Sequence, residues 1–237
     1  TMAAALAASL FGAAIAIPLQ SRITSPILSL IKAMRQIKDS RQYNTKVDHQ
    51  ADDETGELVA TFNQMITEIS YRDSALERLA YFDPLTGLAN RQHFQKQMEE
   101  FLAQSAGSEM AAALYLLDLD EFKQINDAFG HTTGDALLMN VAAVLKQEIG
   151  DKCLLARLGG DEFVIVAGGV STEDEALKKL APFVAALYQP MKILQQELRI
   201  STSAGVALIP RDGNSLDILM RRADLALAFE AGRSLGQ

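Results

Sequence analysis

Hydrophobic residues follow three successive patterns along the 237-residue chain. An uncharged, mostly apolar run from Met2 to Leu19 is typical of a membrane-spanning helix near its minimum length. Apolar residues then recur three and four positions apart, which predicts two amphipathic helices, over 23–37 and from Glu54 onward. After Pro84, short apolar runs alternate with helical stripes, which predicts an α/β sandwich around one sheet with some antiparallel pairing. The sequence thus predicts a helical part followed by a globular part.

The uncharged N-terminal run has two interpretations. Residues 1–21 are predicted to be the end of a transmembrane helix, because an uncharged run of this length reaches the lower limit for crossing a bilayer. No Lys or Arg precedes the run, which disfavours a secretory signal. Arg22 and Lys32 follow it and favour a cytoplasmic flank. A buried helix of a soluble domain is the alternative.

The two amphipathic helices are joined by a polar connector over 39–53. The first stripe comprises Ile23, Ile27, Leu30, Met34 and Ile37, and the second comprises Leu58, Phe62, Met65, Ile69, Leu76 and Leu79. From Phe62 the second stripe has heptad spacing. Two short helices of this kind offer too little surface for a core within one chain, so we expect them to pair between protomers. Pro84 and Gly87 stop the second helix.

The most informative motif runs from Gly159 to Phe163. Its two glycines let the backbone approach a ligand closely, and Asp161 and Glu162 follow at a tight turn between two predicted strands. An ordinary hairpin turn with a solvated acid has the same pattern. A second acidic segment, from Asp118 to Asp120, ends a predicted buried strand. Because carboxylates on two strands can converge on divalent cations, the two motifs together favour a metal-phosphate site.

Composition narrows the classes of ligand. The formal charge of −8 and the pI near 4.9 argue against a nucleic-acid partner, since a polyanion would be repelled. An acidic protein that handles phosphates is therefore expected to need Mg²⁺. Cys153 is the only cysteine, so the chain contains no intrachain disulfide.

Polar residues after the first acidic segment could serve a nucleoside triphosphate. That chemistry needs carboxylates for a cation, donors for phosphates and polar atoms for the base edge. Lys123, Asn126 and Asp135 supply such groups. Each also has an ordinary interpretation: a solvated charge, a helix cap, and the N-cap of the next helix, respectively. Taken one at a time, these residues leave both interpretations open.

The segment 22–70 resembles a HAMP domain, the parallel four-helix signalling module that follows transmembrane helices. The matching features are Pro26 early in the first helix, the run from Asp53 to Leu58, and Phe62-Asn63-x-Met65. A plain coiled coil is the alternative. The resemblance implies a homodimer through these helices, and residues 71–82 would form a helical signalling linker.

Residues 83–237 resemble the GGDEF-domain diguanylate cyclases. The resemblance is carried by Asp83 to Arg91, Asp118 to Asp135, Gly159 to Phe163, and Ser203 to Ala207. It implies a palm-like α/β sandwich related to nucleotide cyclases, in which two protomers condense two GTP into cyclic di-GMP and pyrophosphate. With the preceding segments, it implies an enzyme gated by HAMP geometry. The enzyme would be anchored in a bacterial inner membrane, with its GGDEF domain in the cytoplasm.

The resemblance also implies roles for individual residues. The implied ligands of Mg²⁺, with Mn²⁺ possible in its place, are Asp118, the main-chain carbonyl of Leu119, Asp161 and Glu162. The implied substrate-binding residues are Phe122, through nearby backbone N–H groups, Lys123, Asn126, Asp135 and Arg233. Asp161, Glu162 and Lys123 would be catalytic. Asp161 would activate the attacking 3′-hydroxyl, and Lys123 would neutralise phosphate charge. Asn126 and Asp135 would read the guanine edge.

Two departures from the family pattern bear on activity. Gly150 and Cys153 occupy the positions of the Arg-x-x-Asp product-inhibition site, so feedback by cyclic di-GMP is expected to be absent. Near the C-terminus, a gapless alignment puts Ala231 where the family has a triphosphate-binding lysine, and a one-residue shift puts Gly232 there instead. The alternative function is therefore a catalytically decayed GTP-binding regulatory domain, which would control a phosphodiesterase module beyond Gln237.

Overall fold

Two units make up the chain, Thr1–Leu76 and Glu77–Gln237, here called the helical unit and the sheet unit. The residues described by the computed structural model are 2, 24–40, 43, 45–48, 53–105, 111–150 and 153–234. The predicted transmembrane segment, residues 1–21, lies outside this description except for Met2. Among the helices of the described residues, none combines the length and the apolar character needed to cross a membrane.

The helical unit contains helix α1, Ser25–Ser40, and most of helix α2, Glu54–Tyr81. The Asp53 side chain caps α2 by accepting hydrogen bonds from the backbone N–H groups of Thr55 and Gly56 at 3.1 and 2.9 Å. The Asn63 carboxamide bonds both backbone groups of Val47, at 3.0 and 2.8 Å. The connector between the helices is thereby fixed against α2 at one point.

A small core forms within the helical unit of a single chain. Its buried residues are Leu30, Ala33, Val47, Val59, Phe62 and Ile66. The expectation that one chain would form no core here is therefore wrong, because the connector contributes Val47 between the two helices. Other members of the predicted stripes stay exposed, among them Met34 at 49% and Met65 at 51%. The two helices thus bury one apolar face and leave a second one open.

The sheet unit contains one sheet of four strands: β1 Ala112–Leu119, β2 Leu154–Gly159, β3 Glu162–Gly168 and β6 Thr202–Ile209. The sheet is antiparallel, and its strand order is β2-β3-β1-β6. Strands β4, Met191–Ile193, and β5, Gln196–Leu198, form a separate hairpin. The central strand β1 is almost wholly buried, which agrees with its continuous apolar sequence.

Helices cover both faces of this sheet. They are α3 Arg91–Ser105, α4 Phe122–Phe129, α5 His131–Ile149, α6 Glu173–Leu187 and α7 Leu216–Ser234. Because side chains alternate along a strand, Tyr115 of β1 packs into a cluster with residues of α5 and α6, whereas Leu114 packs into one with α3 and α7. The predicted α/β sandwich with antiparallel pairing is confirmed.

Several predicted element bounds are wrong. The apolar pattern of the sequence predicts one strand over 198–207, whereas the structure has β5 at Gln196–Leu198 and β6 at Thr202–Ile209. Strands β4 and β5 are only three residues long, which is too short for a periodic signal. Helix α4 was not predicted, because none of its eight residues is fully buried. The sequence pattern predicts the following helix over 134–148, but α5 begins at His131.

Candidate active site

The Gly-Gly motif forms the tip of the hairpin between β2 and β3. Gly159 has φ of +141° and Gly160 has φ of +54°, values that residues with a side chain rarely adopt. The turn carries Asp161 to the end of β1, where the backbone N–H of Leu119 lies 3.4 Å from its carbonyl oxygen. The strand register places Glu162 directly opposite Asp118. The two acidic motifs that the sequence singled out therefore meet.

Asp118 lies in an environment that disfavours its negative charge. Burial, and then the charges of neighbouring carboxylates, raise its pKa from the ordinary 3.8 to about 6. These carboxylates are, in order of effect, Asp161, Glu162 and Asp120. A cation here would offset this repulsion, and carboxylate oxygens are ligands of the kind that hard divalent ions prefer. Within the described part of the chain, no three His, Cys, Asp or Glu side chains form a group that could hold a metal ion.

Asp120 has protein partners of its own. Its carboxylate accepts a hydrogen bond from the Ser203 hydroxyl at 2.6 Å, and its backbone N–H donates to the carbonyl of Ser201 at 3.0 Å. These bonds tie the end of β1 to the start of β6. Asp120 therefore fixes the position of the strand end that carries Asp118.

Arg157 braces the Gly-Gly turn, a role that the sequence analysis missed. Its guanidinium donates two hydrogen bonds to the carbonyl of Gly160, at 3.0 and 2.7 Å, and one to the Asp83 carboxylate at 2.9 Å. Asp83 also accepts bonds from the backbone N–H and the hydroxyl of Thr86, at 2.8 and 2.6 Å. The signal in the sequence was an arginine inside an otherwise apolar strand, which needs a buried partner.

Arg91 holds the far side of the same turn. Its Nε donates to the carbonyl of Leu158 at 3.3 Å, and its Nη2 lies 3.5 Å from the Glu162 carboxylate. Glu162 thus has a cationic neighbour in addition to the acidic ones. The side chains of Arg91 and Glu162 are 65% and 44% exposed, so this ion pair contributes little to stability and mainly positions the carboxylate.

The second group of predicted residues lies on α4 and α5. The backbone enters α4 through Glu121, which has φ of +58°, and Gly130 alone separates the two helices. Lys123 is exposed in the first turn of α4, and Asn126 is half-buried in the next turn. Asp135 is exposed in α5. The cap interpretations of Asn126 and Asp135 are wrong, because both residues lie inside helices.

The structure thus divides the predicted site residues into two sets. The turn side comprises Asp118, Leu119, Asp161 and Glu162, and the helix side comprises Phe122, Lys123, Asn126 and Asp135. Phe122 is half-buried and packs against the core, so it anchors the start of α4. Arg233 belongs to α7, but its side chain lies outside the described residues.

The chain belongs to the GGDEF-domain diguanylate cyclase family. The family model "Diguanylate cyclase, GGDEF domain" matches residues 80–233, and the model "HAMP domain" matches residues 19–70. Both resemblances inferred from the sequence are therefore confirmed. The turn side and the helix side lie in two of the four segments that carry the resemblance, Asp118 to Asp135 and Gly159 to Phe163.

Individual relatives agree with this assignment. The chain is 37% identical, over 75% of its length, to the bifunctional diguanylate cyclase/cyclic di-GMP phosphodiesterase MucR of Pseudomonas aeruginosa. It is 28% identical, over 90% of its length, to the diguanylate cyclase TpbB of the same species. The chain spans 26% of the first relative and 51% of the second.

A solved structure supports the fold of the sheet unit. The crystal structure of a sensory box/GGDEF family protein from Caulobacter crescentus is 37% identical to this chain, with a TM-score of 0.60. The match covers 65% of this chain and 99% of the other.

Proposed function

We propose that this chain is a diguanylate cyclase, which condenses two GTP molecules into cyclic di-GMP and two pyrophosphates. The observation that carries the proposal is the meeting of Asp118 with Asp161 and Glu162 at the end of β1, in a chain of this family. A carboxyl group whose pKa is raised by burial and by neighbouring carboxylates, as that of Asp118 is, is typical of sites that bind a cation together with phosphates.

In the proposed reaction, each of two protomers binds one GTP. The 3′-hydroxyl oxygen of one GTP forms a bond to the α-phosphorus of the other, while the bond from that phosphorus to the oxygen bridging to the β-phosphorus breaks. Pyrophosphate leaves with the electron pair, and the hydroxyl proton passes to a carboxylate, for which Asp161 is our candidate. A second, equivalent step closes the ring. The site is complete only when two protomers face each other.

The turn side would hold Mg²⁺, or Mn²⁺, through Asp118, Asp161, Glu162 and the carbonyl of Leu119. Bound there with GTP, the ion would neutralise phosphate charge and make the 3′-hydroxyl more acidic. Phosphate oxygens would complete its coordination, as they commonly do for Mg²⁺. Lys123 lies in the first turn of α4, near the backbone N–H groups beside Phe122. In this proposal both bind the triphosphate, as does Arg233.

The helix side would select the base. Guanine presents N–H donors at N1 and N2, and an Asp135 carboxylate accepts from them, whereas adenine offers no donors at those positions. Asn126 would contribute a second polar contact to the same edge. A base-selective site accounts for both residues better than the helix-cap interpretation, which the structure excludes.

We further propose that residues 1–21 end a transmembrane helix, 22–70 form a HAMP domain, 71–82 a signalling linker and 83–237 the cyclase. The uncharged N-terminal run and the HAMP match support an anchor in a bacterial inner membrane with the cyclase in the cytoplasm. Exposed apolar residues on α1 and α2 support a homodimer through these helices. Changes in their packing would alter how two GTP sites face each other.

The purified full chain, kept in detergent, tests the reaction directly. We expect cyclic di-GMP to appear on incubation with GTP and Mg²⁺, detected by chromatography and mass spectrometry, and to be lost in Asp161→Asn. Asp174→Asn, an exposed acid at the start of α6, is the matched control and should retain activity. GTP binding without product from the parent chain would overturn the proposal.

That last outcome would favour the second candidate function, a GTP-binding regulatory domain that controls a phosphodiesterase module. The observation behind it is Ala231, where the family pattern has a lysine. Similarity to the bifunctional MucR is compatible with it. The two functions differ in turnover, not in GTP binding, so the same assay separates them.

A further inference from the structure

Gly134 lies next to Asp135 of the helix side, and the functional proposal gives it no role. It lies buried in the first turns of α5, where glycine costs helix stability compared with alanine, by about 1 kcal/mol. Its φ is not in the left-handed region, so the backbone does not require glycine there. The reason for glycine must be the space that its missing side chain leaves.

That space is occupied by Asn126. A Cβ atom built on Gly134 would collide with Oδ1 of Asn126, and it would lie 3.0 Å from Cγ of the same side chain. Phe122 Cζ would be 3.3 Å away. The Asn126 carboxamide therefore lies directly against the α5 backbone, one residue before Asp135, in a gap that only glycine provides.

We infer that Gly134 is a positioning residue for guanine selection. Because Gly134 has no side chain, the Asn126 carboxamide has room to lie beside Asp135. A methyl group at 134 would force the carboxamide out of the gap. Because the colliding atom is the end of a flexible side chain, rotation relieves the collision at little cost to the fold. The substitution should therefore separate stability from base selection. This inference rests on the proposed function, since it assigns Gly134 to the GTP site.

The experiment measures binding of nonhydrolysable GTP and ATP analogues to the full chain in detergent, by calorimetry with Mg²⁺. We expect Gly134→Ala to raise the Kd for the GTP analogue about tenfold, the cost of one lost polar contact, and to leave the Kd for the ATP analogue nearly unchanged. The thermal midpoint should stay equal or rise. Gly168→Ala, at an open position in β3, is the matched control and should change neither affinity.

A double-mutant cycle shows whether Gly134 acts through Asn126. If it does, Gly134→Ala combined with Asn126→Ala weakens GTP binding no more than Asn126→Ala alone. The inference would be overturned if the double variant raised the Kd for the GTP analogue by the product of the two single-variant effects. It would also be overturned if Gly134→Ala kept the parent's preference for GTP. If Gly134→Ala unfolds the protein and Asn126→Ala fails to restore folding, the collision lies elsewhere and the inference is wrong.

The outcome for the parent chain distinguishes this inference from the proposed function. A parent chain that binds the GTP and ATP analogues equally would overturn the proposed function, and the inference with it. A parent chain that prefers GTP, alongside an unaffected Gly134→Ala, would overturn the inference alone.

Discussion

The turn side and the helix side of the candidate site are held in place by different means. The turn side depends on contacts between distant parts of the chain: Arg157 reaches Asp83, 74 residues away in sequence. The helix side is local, since α4 and α5 are joined by Gly130 and pack against each other. In the proposed function, the residues assigned to catalysis are therefore held by contacts between distant segments, and those assigned to base selection by two consecutive helices.

The largest expected effect is a kinetic difference: a variant of the turn side should change kcat, and a variant of the helix side should change KM. Asp161→Asn should lower kcat about 10³-fold, the range of a lost proton acceptor, with a small change in the KM for GTP. Asn126→Ala should instead raise the KM about tenfold, as expected for one lost polar contact. Steady-state rates measured over a range of GTP concentrations check both. Gln124→Ala, exposed on α4, is the control, and the same kinetic pattern in both variants would contradict the division.

The next effect concerns stability. Arg157→Ala removes hydrogen bonds between side chains that are only 11% and 18% exposed, so the free energy of unfolding should fall by about 2–4 kcal/mol. Urea titration followed by circular dichroism measures the change. Arg211→Ala breaks ion pairs of a 61% exposed side chain and should cost less than about 0.5 kcal/mol. Equal losses in the two variants would show that Arg157 braces nothing.

A smaller effect should depend on pH. Burial raises the pKa of Asp83, but hydrogen bonds from Thr86 and the Arg157 guanidinium outweigh it and leave the pKa below 3.8. A lowered pKa stabilises the folded state at pH values above 3.8, and this contribution is lost as the pH falls through the lowered value. The stability difference between the parent and Asp83→Asn should therefore be constant near neutral pH and shrink below about pH 4. Urea titrations at pH 7 and pH 3 test this, and a pH-independent difference would contradict it.

The smallest effect concerns product inhibition, at positions that belong to neither the turn side nor the helix side. Gly150 ends α5 and Cys153 is half-buried before β2, so neither offers the charges of the family's Arg-x-x-Asp site. Adding cyclic di-GMP should leave the initial rate unchanged. Inhibition at low micromolar product would mean that another site binds it.

The sequence predicted the parts of the molecule in which a local pattern reflects a local structure. The apolar run of β1 and the Gly-Gly hairpin were found because each is continuous in sequence. Helix α4 was missed because its residues are partly exposed throughout, and its start at Glu121 has a left-handed backbone that no common pattern indicates. The brace between Arg157 and Asp83 was missed because its two halves are far apart in sequence, and only the folded sheet brings them together.

The position of Asp83 has a mechanical consequence. Helix α2 ends at Tyr81, and a single residue separates this end from Asp83, whose carboxylate accepts a hydrogen bond from Arg157. The same guanidinium donates two hydrogen bonds to the carbonyl of Gly160, the residue before Asp161. The end of α2 is thus linked to the tip of the Gly-Gly hairpin through the side chains of Asp83 and Arg157. A rotation of that helix end would reach the residue next to Asp161 through these hydrogen bonds, without a rearrangement of the hydrophobic core.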